Sequence, residues 1–165
     1  MTTLKFGTDG WRDVIGEGFT VENATIVAKA IARYVIRCED ARKGVLIGYD
    51  HRLTSDTFAA AVAEVIASTG TPVWLTDKPC PTPAISLLVR QRAAAGGILI
   101  TASHNPYQWN GIKYKASYGS SALPSIVAQI EIELAEVQKN VTAPLPPRKE
   151  LIHSLEPRAP YLDTI

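Results

Sequence analysis

The chain has 165 residues, 46% hydrophobic and 20% charged, with 17 basic against 16 acidic side chains and a formal charge of +1. That size and apolar content suit one compact domain, and the near-neutral balance gives no global field that would favour nucleic acid or an anionic membrane. The start, Met-Thr-Thr-Leu-Lys-Phe-Gly, lacks an apolar signal core, and no segment reaches the roughly 18 apolar residues of a membrane span, so the expectation is a cytoplasmic protein.

In chain order, Leu4 to Phe6 reads as a short strand, followed by a long loop marked by Gly7, Gly10, Gly16 and Gly18. Thr20 offers an N-cap, Glu22 suits a first helical turn, and Ala24, Val27, Ala28, Ile31 and Val35 recur at helical spacing up to Cys38. Val45 to Tyr49 is an apolar run fit for a buried strand, leading into Asp50-His51-Arg52. A cap at Thr54 or Ser55 then starts a helix through Phe58, Val62, Val65 and Ile66, which Gly70 closes. Pro72 to Thr76 gives a third strand. After Pro81-Thr82-Pro83, a helix runs through Ile85, Leu88 and Val89, and Gly97 to Thr101 forms another apolar strand. Cys38 and Cys80 lack the paired spacing of a zinc or redox motif and read as reduced thiols.

Beyond Ala102-Ser103-His104-Asn105-Pro106, Gly111 to Lys115 reads as extended. Leu123, Val127, Ile130, Leu134 and Val137 define a last helix whose stripe faces the core. The order predicts an α/β fold, a three-layer α/β/α sandwich with a mainly parallel mixed sheet and its function at the strand C-termini. Pro144, Pro146, Pro147, Pro157 and Pro160 interrupt regular structure, so residues 1–140 are expected to form the domain and 141–160 a linker. A new apolar pattern at 161–165 then reads as the start of a second domain.

The hydroxyl of Ser103, between small residues at the mouth of a buried strand with an Asn105-Pro106 turn behind it, is well seated for a nucleophile. A plain loop serine is the competing reading on these features alone, and Lys113, after Asn110-Gly111, has a solvated hairpin lysine as its bland counterpart.

Three motifs in order, Phe6-Gly7-Thr8-Asp9-Gly10-Trp11-Arg12, Thr101 to Pro106, and Asn110-Gly111-Ile112-Lys113, resemble the signature of the α-D-phosphohexomutases. Asp50-His51-Arg52 stands between them at a strand end. The likeness runs from Lys5 to Tyr161 and corresponds to the first of that family's four domains. It implies that Ser103 accepts the phosphoryl group and that Lys113 and His104 take the general acid/base positions, Lys113 slightly favoured. Thr8, Asp9, Arg12 and Asn105 would line the substrate pocket. It further implies hexose phosphate as substrate, hexose 1,6-bisphosphate as activator, and the parent chain's remaining domains as partners. Magnesium would be held by the Ser103 phosphate together with an aspartate-rich loop of the second domain, a loop this sequence lacks. The fragment alone is then expected to be inactive. Thr101 resembles the phosphogluco- and phosphomannomutase branches. Arg52 is expected to hold a neighbouring carboxylate, and neither it nor His51 is assigned to catalysis.

Two rivals stand beside this reading. A serine hydrolase needs an oxyanion hole and an orienting acid, and no G-x-S-x-G elbow is present. A non-catalytic phosphosugar-binding module would keep the fold and bind hexose phosphate without ever carrying phosphate on Ser103.

Overall fold

The computed structural model describes residues 4–8, 10–140 and 142–165. A six-stranded mixed sheet runs in the order β1-β5-β4-β2-β3-β6. Its strands are β1 (Trp11–Val14), β2 (Val45–Tyr49), β3 (Val73–Thr76), β4 (Gly96–Ile100), β5 (Trp109–Ala116) and β6 (Ile152–Leu155). The neighbours β4, β2, β3 and β6 are parallel, while β5 is antiparallel to both β4 and β1. Helices α1 (Val21–Cys38), α2 (Ser55–Ser68) and α4 (Pro124–Lys139) pack on one face, and α3 (Thr82–Gln91) with the short α5 (Arg158–Leu162) on the other. This is the three-layer arrangement that the alternation of elements predicts.

The strands show the two-residue period directly. Val45, Ile47, Ile98 and Ile100 enter the core under α1 and α2, while Leu46 and Leu99 face α3 with Ile85, Leu88 and Val89. On the α3 side, Gly48 and Gly97 keep the sheet shallow. A Cβ on Gly48 would sit 2.6 Å from Ile85 Cδ1, and one on Gly97 2.8 Å from Val89 Cγ2, so α3 lies close only because both side chains are absent.

α1 begins as its sequence dictates: Thr20 Oγ1 accepts the Asn23 amide at 3.2 Å, Glu22 occupies the first turn, and the helix ends at Cys38. It is tied to α4 by Glu133, a nearly buried carboxylate that pairs with Arg33 at 2.5 Å and Arg37 at 2.6 Å. Two guanidinium groups compensate the desolvated charge, which α4 alone could not leave bare. α2 starts at Ser55, with Thr54 in a left-handed conformation and no side-chain cap, and Gly70 follows the helix at φ +91°.

Four expectations are corrected. Leu4 to Phe6 is not a strand, although Leu4 and Phe6 are buried. The strand lies instead at Trp11–Val14, inside the expected loop, where pairing with β5 supplies hydrogen bonds that local composition does not announce. The Pro-rich stretch contains β6, which pairs with β3 from Ile152 to Leu155, because none of its prolines falls within those four residues. Leu123 is 57% exposed as the N-cap of α4, so the core stripe starts at Val127.

No helix of the described residues is long and apolar enough to cross a membrane. Cys38 is exposed and Cys80 is buried, with desolvation pushing the Cys80 thiol up to about 11. Because the thiolate is the reacting species, thiol titration of the native protein near neutral pH should count Cys38 alone. Cys80 should react only on unfolding; two fast equivalents in the native state would contradict this packing.

Candidate active site

β4 ends at Ile100, and the chain turns at the C-terminal edge of the sheet, where the β2 exit and the start of β5 also lie. Thr101 and Ala102 are buried, whereas Ser103 and His104 are exposed. Ser103 adopts a left-handed backbone conformation, φ +54°, unusual for a residue with a Cβ and costing on the order of 1 kcal/mol. Local bonds hold the turn. The Ser103 amide donates to Thr101 Oγ1 at 3.2 Å, the Asn105 amide to Ala102 O at 3.0 Å, and the Trp109 amide to Pro106 O at 3.0 Å.

β5 delivers the cation. Along it, Asn110, Ile112 and Tyr114 take one face, while Lys113 and Lys115 take the other, Lys113 standing opposite Leu99 of β4. Lys113 is only 7% exposed, and its Nζ donates to Ser103 Oγ at 2.6 Å. The solvated hairpin lysine is thereby excluded. A charge-assisted bond of this length places positive charge directly at the hydroxyl oxygen.

The strand beside β5, β1, carries Arg12, and the loop closed by the Gly7–Gly10 bridge precedes it. Arg12 Nη1 donates to Asn105 Oδ1 at 3.3 Å, which links two of the residues expected to line the pocket. Thr8 is exposed on a turn of the same loop, and Asp9 lies outside the described residues. His104 is exposed immediately beside Ser103. The shallow hollow in front of the serine is lined by Asp50, His51, Arg52, Leu53, Ser103, Asn105 and Tyr107. His51 is an exposed loop residue, as expected. Leu53 and Tyr107 are 71% and 83% exposed, an apolar rim that none of the described residues covers.

Sequence reasoning missed the extent of Arg52. It pairs with Asp50 at 3.3 Å, as anticipated, but it also donates to the carbonyls of Ser103, Asn105, Pro106 and Trp109. A second bridge was not foreseen at all: Asp50 Oδ1 accepts the Ser55 hydroxyl at 2.9 Å, and Ser55 Oγ accepts from Asn110 Nδ2 at 2.9 Å. The strand-end position of Asp50-His51-Arg52 was the only signal available for either.

Thr101 offers its hydroxyl to the Ser103 amide from a buried position, so its part is to shape the loop. Among the described residues, no cluster of three or more His, Cys, Asp or Glu is arranged to hold a metal ion. With Lys113 at the serine, these residues by themselves do not fit magnesium, which needs several oxygen ligands, commonly carboxylates and phosphates.

Residues 3–141 match the family model for phosphoglucomutase/phosphomannomutase, alpha/beta/alpha domain I. A phosphoglucosamine mutase of Finegoldia magna is 44% identical over 126 residues, 76% of this chain and 27% of the relative. A Schizosaccharomyces pombe protein described as a probable phosphoribomutase is 36% identical over 143 residues, 81% of this chain and 24% of its own length. The crystal structure of a Thermus thermophilus protein described as a putative phosphomannomutase superimposes with a TM-score of 0.86 at 34% identity, covering 98% of this chain and 35% of that one. The chain thus spans about a quarter of the length of these curated relatives.

Proposed function

Because the chain belongs to the phosphoglucomutase/phosphomannomutase family and forms its domain I, we propose that Ser103 is the phosphoryl carrier of a phosphosugar mutase interconverting hexose 1-phosphate and hexose 6-phosphate. The single observation that supports this most is the 2.6 Å contact between the buried Lys113 ammonium and the exposed Ser103 hydroxyl.

The chemistry asks for this pairing. When a phosphoryl group leaves phospho-Ser103 for a sugar hydroxyl, the P–Oγ bond breaks and a P–O bond to the sugar forms. The hydroxyl loses a proton, and Oγ gains one. An ammonium already donating to Oγ supplies that proton, and the amine left behind recovers it when Oγ attacks the sugar bisphosphate. His104, exposed on the same loop, takes the proton of the sugar hydroxyl. Arg12, which donates to Asn105, is the cation assigned to the phosphate oxygens, and by family resemblance Thr8 and Asp9 are assigned to the same pocket.

Phosphorylation puts about two negative charges and three acceptor oxygens at the tip of the loop. A magnesium ion would share that phosphate only with carboxylates that the described residues do not bring to the site, and its chemistry there would be to neutralise phosphate charge; hexose 1,6-bisphosphate is the proposed donor that charges the serine. The exposed rim of Leu53 and Tyr107 is consistent with a site that further domains close over. The relatives include a phosphoglucosamine mutase, a protein described as a phosphoribomutase and one described as a phosphomannomutase, which supports a sugar phosphate as substrate without choosing the sugar.

The test is isomerisation by the complete protein. It should interconvert hexose 1- and 6-phosphates, the 165-residue chain alone should not, and Ser103→Ala should lose at least about 10⁴-fold. Full activity in Ser103→Ala would refute the reading. Tight binding of hexose phosphate without any turnover by the complete protein would favour a binding module instead.

A further inference from the structure

Arg52 is the least expected member of this site, and both of its Nη groups are committed to backbone carbonyls. A guanidinium carries five N–H groups in a fixed planar fork and has no acceptor. Here Nε faces Asp50 Oδ2 at 3.3 Å, Nη1 donates to Pro106 O at 2.8 Å and Trp109 O at 3.0 Å, and Nη2 donates to Ser103 O at 2.8 Å and Asn105 O at 2.8 Å. The side chain is 13% exposed although it borders the hollow in front of Ser103. An arginine at the rim of a phosphate site invites the reading of a phosphate ligand. With all four Nη hydrogens bonded to carbonyls and Nε turned to Asp50, the guanidinium has no fork left to offer a phosphate.

The carbonyls it gathers belong to the loop that presents the serine. Ser103 sits in a backbone conformation that a free loop would seldom hold, and its own carbonyl is one of the four. The other end of the clamp is the exit of β2, where Asp50 is itself fixed by the Arg52 amide at 3.0 Å and the Ser55 hydroxyl at 2.9 Å. The serine loop is thereby referred to a central strand and to the first turn of α2, independently of the contacts from Lys113 and Arg12.

We propose that Arg52 is a positioning residue that locks the 103–109 loop so that Ser103 Oγ stays in line with Lys113 Nζ, and that it does not bind the substrate phosphate. This rests on the mutase reading for its kinetic part only. A lysine cannot substitute, since its three donors radiate from one atom and cannot span four carbonyls.

The experiment compares Arg52→Lys and Arg52→Ala with the parent. Hydrogen exchange on the 165-residue chain reads the loop without any need for turnover. The amides of Asn105 and Trp109 should exchange at least about 10-fold faster in both variants, with those of α1 unchanged. In the complete protein, both variants should lower kcat by roughly 10²-fold with KM within about threefold, since small misplacement of a reacting group has that cost. Guanidinium ion should partly restore Arg52→Ala. Unchanged loop exchange in Arg52→Lys would overturn the proposal, as would a raised KM at unchanged kcat, the signature of a lost phosphate ligand. If Arg52→Ala fails to fold, Arg52→Lys, which keeps the charge and the stem, decides on exchange and kinetics alone. If the parent shows no mutase activity, the function proposed above fails while the exchange result still decides the clamp.

Discussion

Lys113→Met should lower the turnover of the complete protein by about 10³-fold while leaving KM within a few-fold and the fold intact. Methionine matches the length of the buried stem and removes only the charge and the donors. Lys113 is 7% exposed in the middle of β5, so its aliphatic part already behaves as strand packing and the loss is confined to the tip. That tip is 2.6 Å from Ser103 Oγ. At such a distance, a unit charge facing a charged oxygen is worth about 4 kcal/mol or more at the effective dielectric of a partly exposed site. In the proposed transfer, the same group would supply the proton on which the leaving serine depends. Steady-state kinetics joined to a single-turnover measurement of phosphoryl transfer would show the loss in the transfer step. A variant within threefold of the parent would remove Lys113 from the chemistry.

Gly10→Ala should cost about 4 kcal/mol or more of stability, enough to unfold the chain or to detach β1 from β5. A Cβ at position 10 would lie 2.0 Å from the carbonyl oxygen of Ile112 and 3.0 Å from Lys113 Cα, both backbone atoms of a strand that is held on each side. The backbone there also has φ +92°, which a side chain resists. Gly16→Ala separates the two causes. Its φ is +82°, but nothing lies within 4 Å of its added carbon, so only the conformational cost of about 1 kcal/mol remains. Denaturant unfolding of the pair should show the difference. Equal losses would mean that the close approach of Gly10 to β5 is not real. The effect matters for function because the strand Gly10 touches is the one that carries Lys113.

How much of this was legible depended on whether the signal was local. Thr20, Glu22 and the apolar spacing up to Cys38 define α1 through contacts within a few residues, and the helix appears with those limits. The apolar runs of β2 and β4 announce buried parallel strands in the same way. β1 and β6 were not legible because each is held by a distant partner, β5 in one case and β3 in the other, with little in four residues of sequence to mark it.

The site divides similarly. Ser103 and Lys113 were named through motif resemblance, and the structure brings their side chains together across ten positions of chain. Arg12 meets Asn105 in the same way. The left-handed backbone of Ser103 and the commitment of Arg52 to four carbonyls were invisible, since carbonyl acceptors leave no trace in residue type. Asn110 belongs to one of the sequence motifs, and its bond to Ser55 gives it a physical task in joining β5 to the head of α2.

As a phosphoryl carrier, Ser103 should hold a labelled phosphoryl group and pass it on. The most direct measurement is to incubate the complete protein with hexose 1,6-bisphosphate carrying a labelled phosphoryl group, then digest it and locate the label. Label is expected on the peptide containing Ser103, released when hexose monophosphate is added, with none in Ser103→Ala. Label on another residue, or an unlabelled protein that still isomerises hexose phosphates, would contradict it.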